Sequence, residues 1–93
     1  MKDKPVILIV DDEIRNIELQ KAYLEPYSYK ILTASNGEEA IKIATKNDVD
    51  LILLDVMMPG KNGFAVTEHL KSSEKTRIIP VILITALSDK KDR

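Results

Sequence analysis

The sequence predicts an α/β domain built on a parallel sheet, and three observations carry that prediction. First, Val6-Ile7-Leu8-Ile9-Val10, Leu51-Ile52-Leu53-Leu54 and Ile79-Pro80-Val81-Ile82-Leu83-Ile84-Thr85 are near-continuous apolar runs rather than alternating ones. Such runs read as strands buried on both faces, the pattern of parallel strands covered by helices. Second, these runs alternate with segments of helical composition and spacing, so strand, helix and strand follow in right-handed crossovers. Third, two of the runs end in acid: Asp11-Asp12-Glu13 after the first and Asp55 after the second. Ligands and chemistry in an open parallel sheet gather at the carboxyl ends of its strands.

Taken in order, Pro5 stands at the start of the first strand, the one place a central strand tolerates it. Glu13 to Glu25 holds strong helix formers, acidic residues at its start and no glycine. Ile14, Ile17 and Leu24 give it a roughly helical apolar set, interrupted by Gln20, and Pro26 stops it. Tyr29 to Ala34 reads as a second strand, less apolar and so nearer an edge. Asn36 with Glu39 three residues on is an N-cap with its capping-box partner. Ala40, Ile41 and Ala44 then form the inner face of a helix that ends near Asn47-Asp48. Leu51 to Asp55 is the third strand. Met58-Pro59-Gly60-Lys61-Asn62-Gly63 is a turn cluster in which Asn62 caps a helix over Phe64 to Lys71, with Val66 and Leu70 facing inward. Ser72-Ser73-Glu74-Lys75 is a polar connection to the fourth strand, Ile79 to Thr85, and Ser88-Asp89 resembles the cap of a further helix.

Ninety-three residues suffice for one small domain with a single core. Acidic and basic residues are interleaved at a net charge of −1, so no basic stripe points to nucleic acid or a membrane surface. The absence of cysteine excludes a disulfide framework and a thiolate metal site. No apolar stretch approaches the ~20 residues of a membrane span, and no signal-type apolar region follows Met1-Lys2-Asp3-Lys4. The expectation is a soluble cytoplasmic domain.

On neighbouring strands, the two acidic ends bring Asp11, Asp12 and Asp55 into one crevice. Three carboxylates that close do not all stay charged without a cation. A hard divalent ion with oxygen ligands, Mg²⁺, suits protein carboxylates combined with phosphate. A plainer reading has Asp12 simply capping the helix that starts at Glu13, but it leaves Asp11 and Asp55 unexplained. Met57 and Met58 read as packing residues, although a backbone carbonyl in the Asp55 loop is also a candidate metal ligand. Thr85 carries a hydroxyl at a strand end, suited to a phosphoryl oxygen. His69 lies between Glu68 and Lys71 and reads as solvated.

The succession Val10-Asp11-Asp12-Glu13, Asn36-Gly37-Glu38-Glu39-Ala40, Asp55-Val56-Met57-Met58-Pro59-Gly60-Lys61-Asn62-Gly63 and Ile79-Pro80-Val81-Ile82-Leu83-Ile84-Thr85-Ala86 resembles a response-regulator receiver domain of two-component signal transduction. The resemblance covers essentially the whole chain, residues 1–93, in order and at the family's spacing. It implies a flavodoxin-like parallel sheet with strand order 2-1-3-4-5. It also implies that Asp55 is the phosphoacceptor for a sensor histidine kinase or phosphotransfer protein. Asp12, Asp55 and the Met57 backbone carbonyl would bind Mg²⁺ directly, Asp11 through a metal-bound water, and Thr85 would act as the switch residue. Such a receiver catalyses its own phosphorylation and dephosphorylation rather than turning over a substrate, and it passes the signal to an output domain or partner.

The family continues through a fourth helix, a fifth strand and a fifth helix, whereas this sequence stops at Arg93. The expectation is therefore a receiver truncated before its fifth strand, ordered 2-1-3-4, without the lysine that ends that strand in the family. An apolar fourth strand left as an edge would favour self-association. Ala86 to Arg93 resembles the same stretch in receivers joined to diguanylate cyclases. Three rivals are weaker. A phosphatase of the haloacid-dehalogenase type needs a second acid two residues after the nucleophile, where Met57 stands. A nucleotide-binding module needs a glycine-rich loop where Asp11-Asp12-Glu13 stands. A degenerate receiver that only binds proteins is the remaining alternative: intact Asp11, Asp12, Asp55 and Thr85 argue against it for the parent protein, and for a chain ending at Arg93 it stays open.

Overall fold

The computed structural model describes residues 4–57 and 62–84. Its elements follow in the order β1 (Val6–Val10), α1 (Ile14–Leu24), a 3₁₀ turn (Glu25–Tyr27), β2 (Lys30–Ala34), α2 (Gly37–Lys46), β3 (Leu51–Asp55), α3 (Gly63–Lys71) and β4 (Val81–Ile84). The four strands form one parallel sheet in the order β2-β1-β3-β4. The less apolar β2 lies at an edge, as its composition predicts, and the all-apolar β1 and the apolar run of β3 lie at the centre.

Two packed layers explain the unbroken apolar runs of β1 and β3, whereas β4, at the other edge of the described sheet, is not covered on both faces as its run predicts, and its Ile82 is 51% exposed. Val6, Leu8, Val10, Ile52 and Leu54 point to one face, where they meet Ala40 and Ala44 of α2 and Val66 and Leu70 of α3. Ile7 and Ile9 point to the other, where Ile17 and Leu24 of α1 pack against them with Ile31, Leu51 and Leu53. Strands covered on both sides carry no polar alternation because neither face meets water. The chain leaves β1 toward α1 on one face and β3 toward α3 on the other, and that divergence opens the crevice at the carboxyl ends of β1 and β3.

The caps set where the helices begin. Asn36 Oδ1 accepts from the Glu39 N–H at 2.8 Å, and Glu39 Oε1 accepts in return from the Ser35 N–H at 2.8 Å and Ser35 Oγ at 3.0 Å. The capping box thus reaches one residue further back than expected. Asn62 Oδ1 accepts from the Ala65 N–H at 2.9 Å, and α3 begins at Gly63, one residue before the predicted Phe64. At the far end of α1 the chain makes a 3₁₀ turn and leaves through Ser28, whose φ of 61° is left-handed. The connection before β4 is less polar than its sequence reads. Thr76 is buried, its Oγ1 donating to the Leu70 carbonyl at 2.6 Å, and Ile79 joins the core ahead of a strand that begins at Val81.

Candidate functional site

The sheet order makes β1 and β3 neighbours, pairing Val10 with Leu54, so the next residue of each strand emerges at the same level. Those residues are Asp11 and Asp55. One carboxylate oxygen from each of Asp11, Asp12 and Asp55 lies within 4.8 Å of the others. Asp11 and Asp55 are buried, 5% and 8% exposed, while Asp12 faces solvent. The site is a crevice with two acids in its floor and one at its rim.

Backbone N–H groups orient the two buried acids. Asp11 Oδ1 accepts from the Glu13 N–H at 2.9 Å, just ahead of α1. Asp55 Oδ1 accepts from the Met57 N–H at 3.1 Å. The first of these corrects the plainer reading of Asp12: it does not cap α1. The residue at the cap position is Glu13, without a side-chain cap bond, and Asp11 is the acid that meets this backbone. Asp12 is left facing the crevice mouth because its neighbour serves the chain turn.

Burial pushes the Asp11 carboxyl above the ordinary aspartate range. The nearby Asp55 charge and, less strongly, Asp12 push it the same way, against the Glu13 N–H and the Asn16 side chain. The cluster is therefore short of positive charge. Its donors are all carboxylate oxygens, a set that suits a hard oxygen-seeking cation such as Mg²⁺ rather than a soft metal.

Other expectations divide. Met57 does not pack: its side chain is 68% exposed, because it follows the end of β3 on the crevice side of the sheet. Its peptide nonetheless belongs to the site through the bond to Asp55. His69 is exposed, as its polar neighbours predict. Ile14 is 64% exposed rather than buried, since it begins α1 beyond the end of β1 where no strand lies beneath it. Thr85 and Met58 lie outside the described residues, as does the Ser88-Asp89 cap. Ile84, which precedes Thr85, is paired with Asp55 in the sheet and accepts from the Val56 N–H at 3.0 Å. Reading the sequence missed one residue at the site, Gly63, because a glycine after Pro59-Gly60-Lys61-Asn62 reads as turn chemistry. Its position directly after a helix cap was the available signal.

A sequence model described as the response regulator receiver domain matches residues 7–93. Response regulator PleD of Caulobacter vibrioides is 48% identical over 87 residues, covering 94% of this chain and 19% of that protein. This chain thus spans about a fifth of that relative's length. The N-terminal domain of a response regulator receiver protein from Methanoculleus marisnigri JR1 superposes with a TM-score of 0.84 at 37% identity, covering 87% of this chain and 66% of that one. Response regulator protein TrrA from Thermotoga maritima, solved in complex with Mg(2+)-BeF, superposes with a TM-score of 0.80 at 41% identity over 90% of this chain and 71% of that one.

Proposed function

This chain belongs to the response regulator receiver family of two-component systems, and we propose that it accepts a phosphoryl group on Asp55 from a histidine kinase or phosphotransfer protein. The observation that carries the proposal is the convergence of Asp11, Asp12 and Asp55 within 4.8 Å at the ends of two adjacent strands. TrrA, which shares this fold, was solved with Mg(2+)-BeF, in keeping with the same chemistry here.

In the proposed step an Asp55 carboxylate oxygen attacks the phosphorus of a phosphohistidine. A phosphorus–oxygen bond forms as the phosphorus–nitrogen bond breaks, and the electron pair leaves with the imidazole, which takes up a proton. The product is an acyl phosphate on Asp55. Little covalent help is needed; positioning and charge neutralisation dominate such transfers. Asp11, Asp12, Asp55 and the Met57 backbone carbonyl are the groups proposed to hold Mg²⁺. When bound, Mg²⁺ offsets the negative charge of the carboxylates and of the phosphoryl oxygens. The chain's own contribution is orientation. The Met57 N–H fixes the Asp55 carboxylate about its side chain, and the Glu13 N–H fixes Asp11 beside it.

Thr85 is proposed as the switch hydroxyl. A phosphoryl oxygen would give its hydroxyl an acceptor that only the phosphorylated state supplies, and such differential contact gives two states different energies. The chain is thus a switch rather than a turnover enzyme, and its output lies in an attached domain or a partner. Titration calorimetry with Mg²⁺ tests the site: wild type binds, and Asp12→Ala and Asp55→Ala each lose binding. An unchanged titration in both variants would place the metal elsewhere.

A further inference from the structure

Gly63 begins α3 and is buried against the residues that carry the acceptor. A Cβ at this position would stand 2.8 Å from Val56 Cα, 2.9 Å from the Asp55 carbonyl oxygen and 3.3 Å from the Asp55 carbonyl carbon. All three are backbone atoms, and none moves by rotating a side chain. The Gly63 N–H donates to the Val56 carbonyl at 3.1 Å, and its own carbonyl accepts from Thr67 Oγ1 at 2.8 Å. On the β4 side the Val56 N–H donates to the Ile84 carbonyl at 3.0 Å. The peptide joining Asp55 to Val56 is therefore gripped between β4 and the first residue of α3. Glycine is a poor helix former, and close contact with another backbone is what its place here supplies.

We propose that Gly63 is a positioning residue for the acceptor, fixing where the Asp55 carboxylate stands relative to Asp11 and Asp12. The role rests on the phosphoacceptor reading above. A methyl group at Gly63 lifts α3 or tilts the 55–56 peptide, and either motion swings the Asp55 side chain from a bond to the Met57 N–H of 3.1 Å. Catalytic and metal-binding groups tolerate only about 0.5 Å of such displacement. Octahedral Mg²⁺ is stricter than most ligands in this respect.

The test compares Gly63→Ala with Val66→Ala. Val66 is fully buried on the same helix and belongs to the core cluster with Leu8, Ile52 and Leu54, so its variant supplies a comparable loss of core packing. Both are studied well below their melting temperatures, by Mg²⁺ titration and by the amide resonance of Met57 in metal-free protein. Gly63→Ala is expected to weaken Mg²⁺ at least tenfold and to shift the Met57 amide, while Val66→Ala leaves both as in wild type. Equal effects in the two variants, or none in either, overturn the proposal.

Should Gly63→Ala fail to fold, hydrogen exchange in wild type decides. Coupling between sites is reciprocal, so saturating Mg²⁺ should slow exchange of the Gly63 amide more than that of Ala65, which Asn62 holds. Equal slowing of the two amides would refute the role. If wild type binds no Mg²⁺, the phosphoacceptor reading is what fails, and the Met57 amide still judges Gly63.

Discussion

Replacing Asp11 by Asn should stabilise the metal-free protein, although Asp11 is buried and hydrogen-bonded. Asn keeps an oxygen that can accept from the Glu13 N–H, a bond of 2.9 Å in wild type. It removes a charge that burial, Asp55 and Asp12 all disfavour. Two unit charges at 4.8 Å, the outer limit of the oxygen separations in the cluster, repel by about 3 kcal/mol at an effective dielectric constant near 20. Solvent at the open rim, where Asp12 is exposed, screens part of this and leaves a gain of about 1–2 kcal/mol. For a domain of this size that raises Tm by roughly 4–15 °C.

The sign with pH follows from the raised Asp11 value. The folded state holds this proton more tightly than the unfolded chain, so wild type loses stability as pH rises through the window between the ordinary and the raised pKa. Above that window the penalty is complete and Asp11→Asn gains most; well below the ordinary aspartate range the two proteins converge. The assay is thermal melting in chelator across that range, repeated with Mg²⁺. Saturating metal at 100 times Kd returns about 2.7 kcal/mol to wild type and should cancel or reverse the advantage of the variant. A variant that melts at or below wild type in chelator near neutral pH would refute the electrostatic reasoning.

Three further predictions concern the frame that carries the site. Asn36→Ala should cost about 1 kcal/mol by removing the α2 cap, read as a lower urea midpoint. The Ser35 N–H and hydroxyl hold the Glu39 carboxyl below its usual range. That contribution is present above the unfolded pKa and is lost as pH falls through the depressed one, so Glu39→Gln should flatten this part of the acid limb of a stability–pH profile. An unaltered profile would show that the capping box has no linkage to folding. Thr76→Val should cost about 1–1.5 kcal/mol through the bond to the Leu70 carbonyl. Thr76→Ser should recover part of it in denaturant melts, and equal losses in both would point to packing instead.

Most of the frame was legible because its signals are local. An apolar run without alternation states that both faces are covered, which holds for β1 and β3 at the centre of the sheet but not for β4, an equally apolar run at an edge of the described sheet. An acid directly after such a run marks a strand end, and the strand-end rule brings Asp11 and Asp55 together. The strand order itself came from family resemblance, not from periodicity. What escaped depends on depth and register that composition does not encode. Ile14 continues the apolar spacing of α1 but overhangs the end of β1, so periodicity alone misplaces it. Thr76 sits in a polar stretch with nothing to separate it from its neighbours, yet it is 1% exposed because the chain folds back under α3 there. Asp11 and Asp12 are adjacent acids of equal chemistry, and only backbone geometry determines which one accepts from Glu13. Gly63 has no side chain to leave a pattern; its role lies in the space a Cβ would occupy.

Asp55 is the residue proposed to carry the phosphoryl group. The protein is incubated with acetyl phosphate and Mg²⁺, its intact mass is recorded, and the product is reduced with borohydride, which turns an acyl phosphate into an alcohol that tandem mass spectrometry can place in the sequence. The expected result is one added phosphoryl group, an alcohol at residue 55 alone, and no labelling in chelator or in Asp55→Asn. Labelling that survives Asp55→Asn, or a wild-type protein that binds Mg²⁺ and still takes no phosphoryl group, would contradict it.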